Sequence, residues 1–196
     1  MSRSTLTRDR IVETARQLFN ESGTAAVTTN HIAARAGLSP GNLYYYFSNK
    51  EEIISELVDR CAERLAQAWQ PAKEGPLDTA ELQRLLEQRL TVLEEYAGAT
   101  RELLPLARHL PRVGERYRML HEQRLAELEH VLRASLEANK AGDPSPEKLR
   151  DLCESAWLLG LSIVASVDVV GDPGSRGARH SAELIAALIA AQLGMR

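Results

Sequence analysis

The sequence predicts an all-α protein of about nine helices. Apolar residues recur at spacings of three and four along almost the whole chain, and no useful length shows the alternation of a strand. Glycine and proline interrupt this pattern where one helix ends and the next begins. The chain has 196 residues, of which 44% are hydrophobic and 26% charged, so it can bury a sizeable core.

The first two helices are predicted on either side of Gly23. The first covers about residues 7–22, where apolar residues form one stripe, and Gly23 is a typical C-terminal stop. Thr28 or Thr29 can cap the second helix with a side-chain oxygen. This second helix is short and ends at Gly37.

The third helix is predicted across residues 40–46. Ser39 is its N-cap, and Pro40 takes the first helical position, where a missing N–H costs nothing. Leu43 and Phe47 are four residues apart, so both lie on the inward face of this short helix.

The remaining helices are predicted beyond residue 47. Ser48 and Glu51 have the spacing of a capping box, which begins a long fourth helix that Pro71 stops. The later helices run from a cap at Asp78 to near Gly98, as one short or kinked segment within 101–114, and across 115–140, 147–170 and 178–193.

Two domains are predicted, an N-terminal one at residues 1–50 and a C-terminal one at 51–196, with helix 51–70 linking them. Residues 1–50 carry six arginine or lysine residues against three acidic ones, although the chain has a net charge of −3. A basic N-terminal domain favours an anionic partner. Arg3, Arg8 and Arg10 are expected to form a basic arm in this domain.

The second and third helices, with the turn AGLS between them, have the composition of a helix-turn-helix. Ala33 is small where the two helices should touch, and Gly37 suits the turn. A compact core with the first helix is expected from Ile32, Leu38, Leu43 and Phe47.

The run TTNHIAARAGLSPGNLYYYFSNKEEII resembles the DNA-binding domain of the TetR family of bacterial transcriptional regulators. The resemblance covers about residues 7–57 and includes a T-x-x-x-I-A opening, an A-G-x-S turn, an L-Y-x-x-F recognition helix and a following N-K. The rest of the chain matches only in helix count, length and its two-helix ending. The resemblance implies an all-α homodimer, a palindromic double-stranded operator and a C-terminal ligand-binding and dimerisation domain. It favours a repressor that a small-molecule effector releases from DNA.

The start of the third helix is where a helix-turn-helix approaches base edges in the major groove. Gly41 allows close approach of the backbone, and Pro40 offers an apolar contact to a thymine methyl. Asn42 can form two hydrogen bonds with an adenine edge, which is worth about 1–3 kcal/mol of discrimination. The residues predicted to contact DNA are Thr28, Thr29, Asn30, Ser39, Pro40, Gly41, Asn42, Tyr44, Tyr45, Tyr46 and Lys50.

The three consecutive tyrosines divide by helical angle. The ring of Tyr44 lies beside the inward face, so it is expected to pack while its hydroxyl reaches a phosphate. Tyr45 and Tyr46 point outward, toward the groove and its walls. The family often has histidine at the position of Tyr46. Lys50 is expected to meet a phosphate at the start of the fourth helix.

The C-terminal domain is expected to bind the effector and a second copy of the chain. Aromatic and soft side chains typical of pockets are Cys61, Leu65, Trp69, Tyr96, Met119, Trp157 and Val164, although each is also compatible with ordinary core packing. The last helix has a broad apolar face that favours self-association. The predicted interface residues are Leu184, Ile185, Leu188, Ile189 and Gln192.

The apolar run at residues 158–170 is too short for a membrane span, and Glu154 and Asp168 interrupt the surrounding pattern. Asp168 needs a partner in such surroundings. It can pair across a dimer, cap the helix end or meet a cationic ligand, and Arg176 is the partner we favour.

Other classes of function have less support. The cysteines and histidines lack zinc spacing, and no nucleophile elbow, P-loop or paired-carboxylate signature points to an enzyme, so neither metal nor cofactor is expected. The N-terminus lacks the apolar segment of a signal peptide, which favours a cytoplasmic protein. An alternative is an orphan regulator whose C-terminal domain binds a protein partner.

Overall fold

A computed structural model of the chain describes residues 3–68, 77–138, 142–170 and 177–194. In these ranges all regular structure is helical, which confirms the all-α prediction and the count of about nine helices. The helices are α1 Arg3–Ala26, α2 Thr29–Arg35, α3 Pro40–Tyr46, α4 Lys50–Ala68, α5 Thr79–Glu95, α6 Ala97–His109, α7 Pro111–Ala138, α8 Pro146–Val170 and α9 Ala178–Leu193. Among the described helices, none is long and apolar enough to cross a membrane.

The chain divides into two compact units. The first unit comprises Met1–Glu63 together with Glu95–Glu115, and the second comprises Arg64–Glu94 together with Arg116–Arg196. The first unit therefore contains the helix-turn-helix, the first part of α4 and all of α6. The predicted linking helix, α4, passes from one unit into the other.

The first helix is longer than predicted at both ends. It begins at Arg3 and continues past Gly23, whose φ of 73° and ψ of 153° interrupt the helix without ending it. Ile11 and Phe19 lie on its buried face. The predicted basic arm is wrong for Arg8, because this residue lies within the helix and its guanidinium packs 4.3 Å from the centre of the Phe47 ring.

Side-chain caps begin both helices of the helix-turn-helix, as predicted. The Thr28 hydroxyl accepts a hydrogen bond from the His31 backbone N–H at 3.2 Å, and His31 Nδ1 accepts one from the Thr28 N–H at 3.4 Å. Ser39 Oγ accepts from the Asn42 N–H at 3.3 Å. Between the helices, Gly37 adopts a φ of 67°, which glycine allows without strain.

The start of α4 differs by one residue from the prediction. Asn49 Oδ1 accepts a hydrogen bond from the Glu52 N–H at 2.8 Å, and the Glu52 carboxylate accepts one from the Ser48 N–H at 2.8 Å. The reciprocal pair predicted for Ser48 and Glu51 is therefore wrong. Asparagine is as strong an N-cap as serine, so the later of two possible caps begins the helix.

Helices α1 and α6 cross in close contact at Gly98. A Cβ atom at this position would lie 2.5 Å from the carbonyl carbon of Phe19. The Gly98 N–H donates to Asn20 Oδ1 at 2.8 Å, and the Asn20 amide donates to the Glu95 carbonyl at 2.8 Å. Arg16 donates to the same carbonyl at 2.8 Å. Gly98 was predicted to end a helix, but it lies in the first turn of α6 and serves the crossing.

The helices of the second unit largely match the predicted pattern. Asp78 and Glu81 exchange side-chain and backbone hydrogen bonds of 2.7 and 2.9 Å at the start of α5, which confirms the cap. Helix α7 begins at Pro111, four residues before its predicted start, because proline fits the first turn of a helix. In the first unit, Pro105 lies inside α6. The predicted ranges of α8 and α9 are confirmed to within one residue.

Candidate nucleic-acid interface and effector cavity

The first turn of α3 presents an exposed backbone and short polar side chains. Ser39, Pro40, Gly41 and Asn42 are all exposed, whereas Leu43 in the next position is fully buried. Phe47, immediately after α3, is buried as well. The helix is therefore held from its inner side at both ends, and its N-terminal turn is left accessible at the surface.

The tyrosines of α3 have three different environments. Tyr45 is 81% exposed and Tyr44 is 49% exposed. Tyr46 is half-buried, so it is less exposed than predicted, and its ring meets that of Tyr45 edge-on at 5.1 Å. The exposure of Tyr45 agrees with the prediction that its side chain points away from the inward face of α3.

A hydrogen bond that the sequence pattern did not indicate joins the two helices of the motif. The hydroxyl groups of Thr29 and Tyr44 lie 3.0 Å apart, and either can donate. Thr29 is half-buried, while Thr28 and Asn30 are exposed beside it. The pair orients the Tyr44 ring across the start of α2, so the predicted phosphate contact of this hydroxyl competes with an internal bond.

Lys50 makes internal contacts that the sequence did not predict. Its ammonium group donates to the carbonyl oxygens of Thr24 at 2.8 Å and Val27 at 3.2 Å. The last carbonyls of a helix lack partners within the helix, and a lysine can satisfy them. Lys50 thus fastens the end of α1 to the start of α4, and its contact with a phosphate stays a prediction.

A network of charged groups ties α1 to α4 within the first unit. Arg8 meets the Glu56 carboxylate at 2.7 Å, and Arg60 meets it at 3.0 Å and Asp9 at 2.6 Å. Burial by itself raises the pKa of Glu56, but hydrogen bonds from the two arginines outweigh it and hold that pKa below its usual value. The network fixes the scaffold behind the helix-turn-helix.

The second unit contains a cavity of about 50 Å³ between α5, α7, α8 and α9. Of the predicted effector-binding residues, Trp157 lines it. Cys61 and Tyr96 are buried in the first unit and do not line this cavity, so their role in effector binding stays a prediction. Met119 is exposed and Leu65 is buried away from the lining.

Four residues named in the sequence predictions lie wholly or partly outside the described part of the chain. Trp69 and Arg176 lie outside the described residues. The side chains of Val164 and Asp168 are likewise outside the described part of α8.

The sequence pattern missed the polar part of the cavity lining. Arg89 and Arg124 both line it and are buried. Arginine is seldom buried, so a helical pattern marks it as a surface residue. The one available signal is that each arginine shares a helical face with apolar residues, and this would have indicated that Arg89 and Arg124 point inward.

Three of the five predicted interface residues lie at the surface. Leu184 and Leu188 are large exposed apolar residues of α9, and Gln192 is exposed one turn further on. Ile185 and Ile189 are buried in the core of the second unit, so their assignment to a subunit interface is wrong.

Two exposed leucines of α8 were missed. Leu158 and Leu159 are large apolar side chains at the surface, and α8 packs against α9. Together the two helices expose four leucines, Leu158, Leu159, Leu184 and Leu188.

The helix-turn-helix agrees with a known family at the level of sequence. Residues 11–57 match the family model described as "Bacterial regulatory proteins, tetR family". The regulator UidR of Escherichia coli K12 is 24% identical over 172 residues, which are 88% of this chain and 86% of that protein. The repressor KstR2 of Mycobacterium tuberculosis H37Rv is 41% identical over 51 residues, about 26% of each chain.

Solved structures agree over nearly the whole length of the chain. A TetR-family transcriptional regulator from Marinobacter aquaeolei VT8 superposes with a TM-score of 0.83 at 27% identity, covering 98% of this chain and 92% of that one. GusR of Salmonella enterica, at 19% identity, shares the fold with a TM-score of 0.71, covering 99% of this chain and 98% of that one.

These findings, with the exposed and capped recognition helix, define a DNA-binding transcription regulator of the helix-turn-helix class. Within that class, the chain is similar to regulators of the TetR family: residues 11–57 match the family model, and the fold agrees with that of a TetR-family regulator.

Proposed function

We propose that the protein is a cytoplasmic repressor that binds a palindromic operator as a homodimer and leaves it when a small-molecule effector binds. The observation that carries the DNA-binding part is the first turn of α3. Its four residues 39–42 are exposed, while Leu43 and Phe47 hold the helix from within. Such a turn can enter the major groove without any rearrangement of its own core.

Base recognition is assigned to Asn42, and backbone recognition to the residues around it. Asn42 has the amide that can pair with an adenine edge through two hydrogen bonds. The exposed hydroxyl groups of Thr28 and Tyr45 can bind phosphate oxygens. Gly41 and Pro40 permit close approach, and Asn30 lies exposed next to Thr28.

Dimerisation is assigned to the exposed apolar residues of α8 and α9. Four leucines are exposed on these two packed helices, and burying their apolar surface in a contact with another protein chain is more favourable than leaving it in water. A two-fold contact through this surface would give the symmetric pair of recognition helices that a palindrome requires.

The test is binding of the full-length protein to DNA fragments upstream of its own gene and the neighbouring genes, followed by fluorescence anisotropy. The wild type should select a palindromic sequence. Asn42→Ala should lose about 1–3 kcal/mol at the preferred site and discriminate less between sequences. Tyr45→Phe should weaken all sequences about equally, and Arg84→Ala, an exposed change on α5, should have no effect.

Two results would contradict the proposal. The wild type would show no preference for any palindrome, or Asn42→Ala would retain the full preference. In the same samples, sedimentation should give a dimer, and Leu184→Glu with Leu188→Glu should give a monomer.

A further inference from the structure

Trp157 brings an unsatisfied hydrogen-bond donor to the cavity in the second unit. It lines the cavity, and its indole Nε1 is buried without a hydrogen-bond partner among the described residues. An indole N–H can only donate, so it needs an acceptor. A buried donor without an acceptor is unfavourable, and almost all such groups in folded proteins have a partner. The Trp157 N–H therefore indicates a place for an acceptor atom.

Two rings of α7 continue from Trp157 as an aromatic row. The imidazole of His121 meets the Trp157 indole edge-on, with 5.4 Å between the ring centres, and Tyr117 stacks on His121 at 6.1 Å. His121 Nδ1 is buried and likewise has no hydrogen-bond partner in the part of the chain that the structure describes. Adjoining rings thus carry two such nitrogens, which is a stronger indication of a binding site than one alone.

The rest of the lining favours an uncharged occupant. It includes six leucines and Ile185. The thiol of Cys153 is neutral at physiological pH, because burial raises its pKa to about 12. Arg89 and Arg124 line the cavity too, but both have interactions within the chain, among them a hydrogen bond of 2.7 Å from Arg124 to Glu127. A bound molecule therefore need not carry a charge to satisfy this wall.

We propose that this cavity binds a small uncharged organic molecule whose oxygen accepts a hydrogen bond from Trp157 Nε1, and that such a molecule is the effector. The second half of this statement rests on the proposed function. A carbonyl compound with an apolar body has the required chemistry, since its oxygen only accepts and its carbon atoms suit the leucines. A carboxylate is disfavoured, because its charge is costly to remove from water and the arginines of the lining already have partners.

The size of the cavity limits what enters without rearrangement. Its volume is about 50 Å³. One water molecule needs about 10–15 Å³, and a cavity of about 150 Å³ accommodates benzene. The cavity therefore has space for roughly three to five groups of the size of a water molecule. A ring of five or six carbons would displace neighbouring side chains, which is one way for binding to alter the second unit.

The first experiment compares molecules that differ in the acceptor alone. Cyclopentanone and cyclohexanone have nearly the shapes of methylenecyclopentane and methylenecyclohexane, but only the ketones have an oxygen. Acetone is the smaller probe, and cyclopentanecarboxylate is the charged one. The chain has two tryptophans, so full-length Trp69→Phe protein reports binding through Trp157 fluorescence, with calorimetry alongside. At least one ketone should bind saturably, with a Kd about fivefold or more below those of its hydrocarbon and of the carboxylate.

Substitutions then locate the site. Trp157→Phe removes the indole N–H and should reduce the preference for ketone over hydrocarbon to about twofold or less by calorimetry, while Trp69→Phe, the matched control, keeps it. Leu161→Ala enlarges the cavity at a half-buried position, so it should tighten the binding of cyclohexanone. Met119→Ala, an exposed change on α7, should leave that binding unchanged. The Leu161 variant tests the site independently if Trp157→Phe folds poorly, as far-UV circular dichroism will show.

Several outcomes would overturn the proposal. The hydrocarbons would bind as tightly as the ketones, the carboxylate would bind best, no ketone would bind, or Trp157→Phe would keep the full ketone preference. DNA binding measured in parallel separates the two claims. Operator selectivity without ketone binding refutes the cavity proposal alone, and ketone binding that leaves operator affinity unchanged refutes the effector role alone. Ketone binding by a protein with no operator preference refutes the proposed function instead.

Discussion

Replacement of Gly98 by alanine tests the close crossing of α1 and α6. The added Cβ would lie 2.5 Å from the Phe19 carbonyl carbon, 2.6 Å from its oxygen and 2.8 Å from the Asn20 nitrogen. Carbon atoms pack best at about 3.5–4.0 Å, so the two backbones must separate by about 1 Å. All three atoms belong to the backbone, which cannot turn aside as a flexible side chain would.

The expected cost follows from overpacking and from the polar contacts at the crossing. Inserting a methyl group into a packed site costs about 1–3 kcal/mol. Separation also strains the Gly98–Asn20 hydrogen bond, which is worth about 0.5–1.5 kcal/mol. Alanine recovers up to about 1 kcal/mol through its helix propensity, so we expect a net loss of about 1–3 kcal/mol.

Urea denaturation of full-length protein, followed by circular dichroism, measures the change. Gly160→Ala is the matched control, because a Cβ at this position of α8 would meet only Leu90 Cδ2 of α5 at 3.6 Å, an ordinary van der Waals contact. The control should be neutral or gain up to about 1 kcal/mol. A Gly98→Ala protein as stable as Gly160→Ala would refute the reasoning.

Three further predictions concern the scaffold of the helix-turn-helix. Lys50→Met should lower the free energy of unfolding by about 1–3 kcal/mol, since two carbonyls at the end of α1 lose their donor, whereas the exposed Lys148→Met should be neutral in the same denaturation assay. Because the pKa of Glu56 is lowered in the folded protein, its carboxylate adds stability above the unfolded pKa of about 4.5. This stability is lost as the pH falls through the folded pKa. The difference in melting temperature between wild type and Glu56→Gln should therefore shrink between pH 6 and 3, roughly the window of that titration, and a constant difference would contradict it. Ser39→Ala should cost about 1 kcal/mol of stability and weaken DNA binding, whereas Ser39→Asp should keep the stability, as denaturation and anisotropy on the same samples will show.

Local signals in the sequence were enough for most of the helices. The caps of α3 and α5 were both predicted correctly, because their geometry depends only on neighbouring residues. They are formed by Ser39 with Pro40 and by Asp78 with Glu81. The range of α9 follows from its apolar period alone. These features succeed because each depends on interactions within one or two turns of the chain.

Features that depend on distant partners were predicted poorly. Gly98 satisfies the local rule for a helix end, and only the proximity of Phe19, about eighty residues away, reveals its use. The hydrogen bonds of Lys50 to the carbonyls of Thr24 and Val27 were missed, because nothing nearby in sequence points to those carbonyls. The cavity was misjudged for the same reason, since aromatic character drew attention to Tyr96 while the buried Arg89 passed as a surface residue.

The placement of α6 has a consequence for how this protein can be dissected. The chain runs through the first unit up to Glu63, leaves it, returns at Glu95 and leaves again at Glu115. Three covalent connections therefore join the two units, and a single protease cut cannot release the DNA-binding part. A fragment that stops after residue 63 would lack α6 and would leave the surface around Phe19 uncovered. A minimal DNA-binding fragment of this regulator would have to be built by splicing, not by truncation.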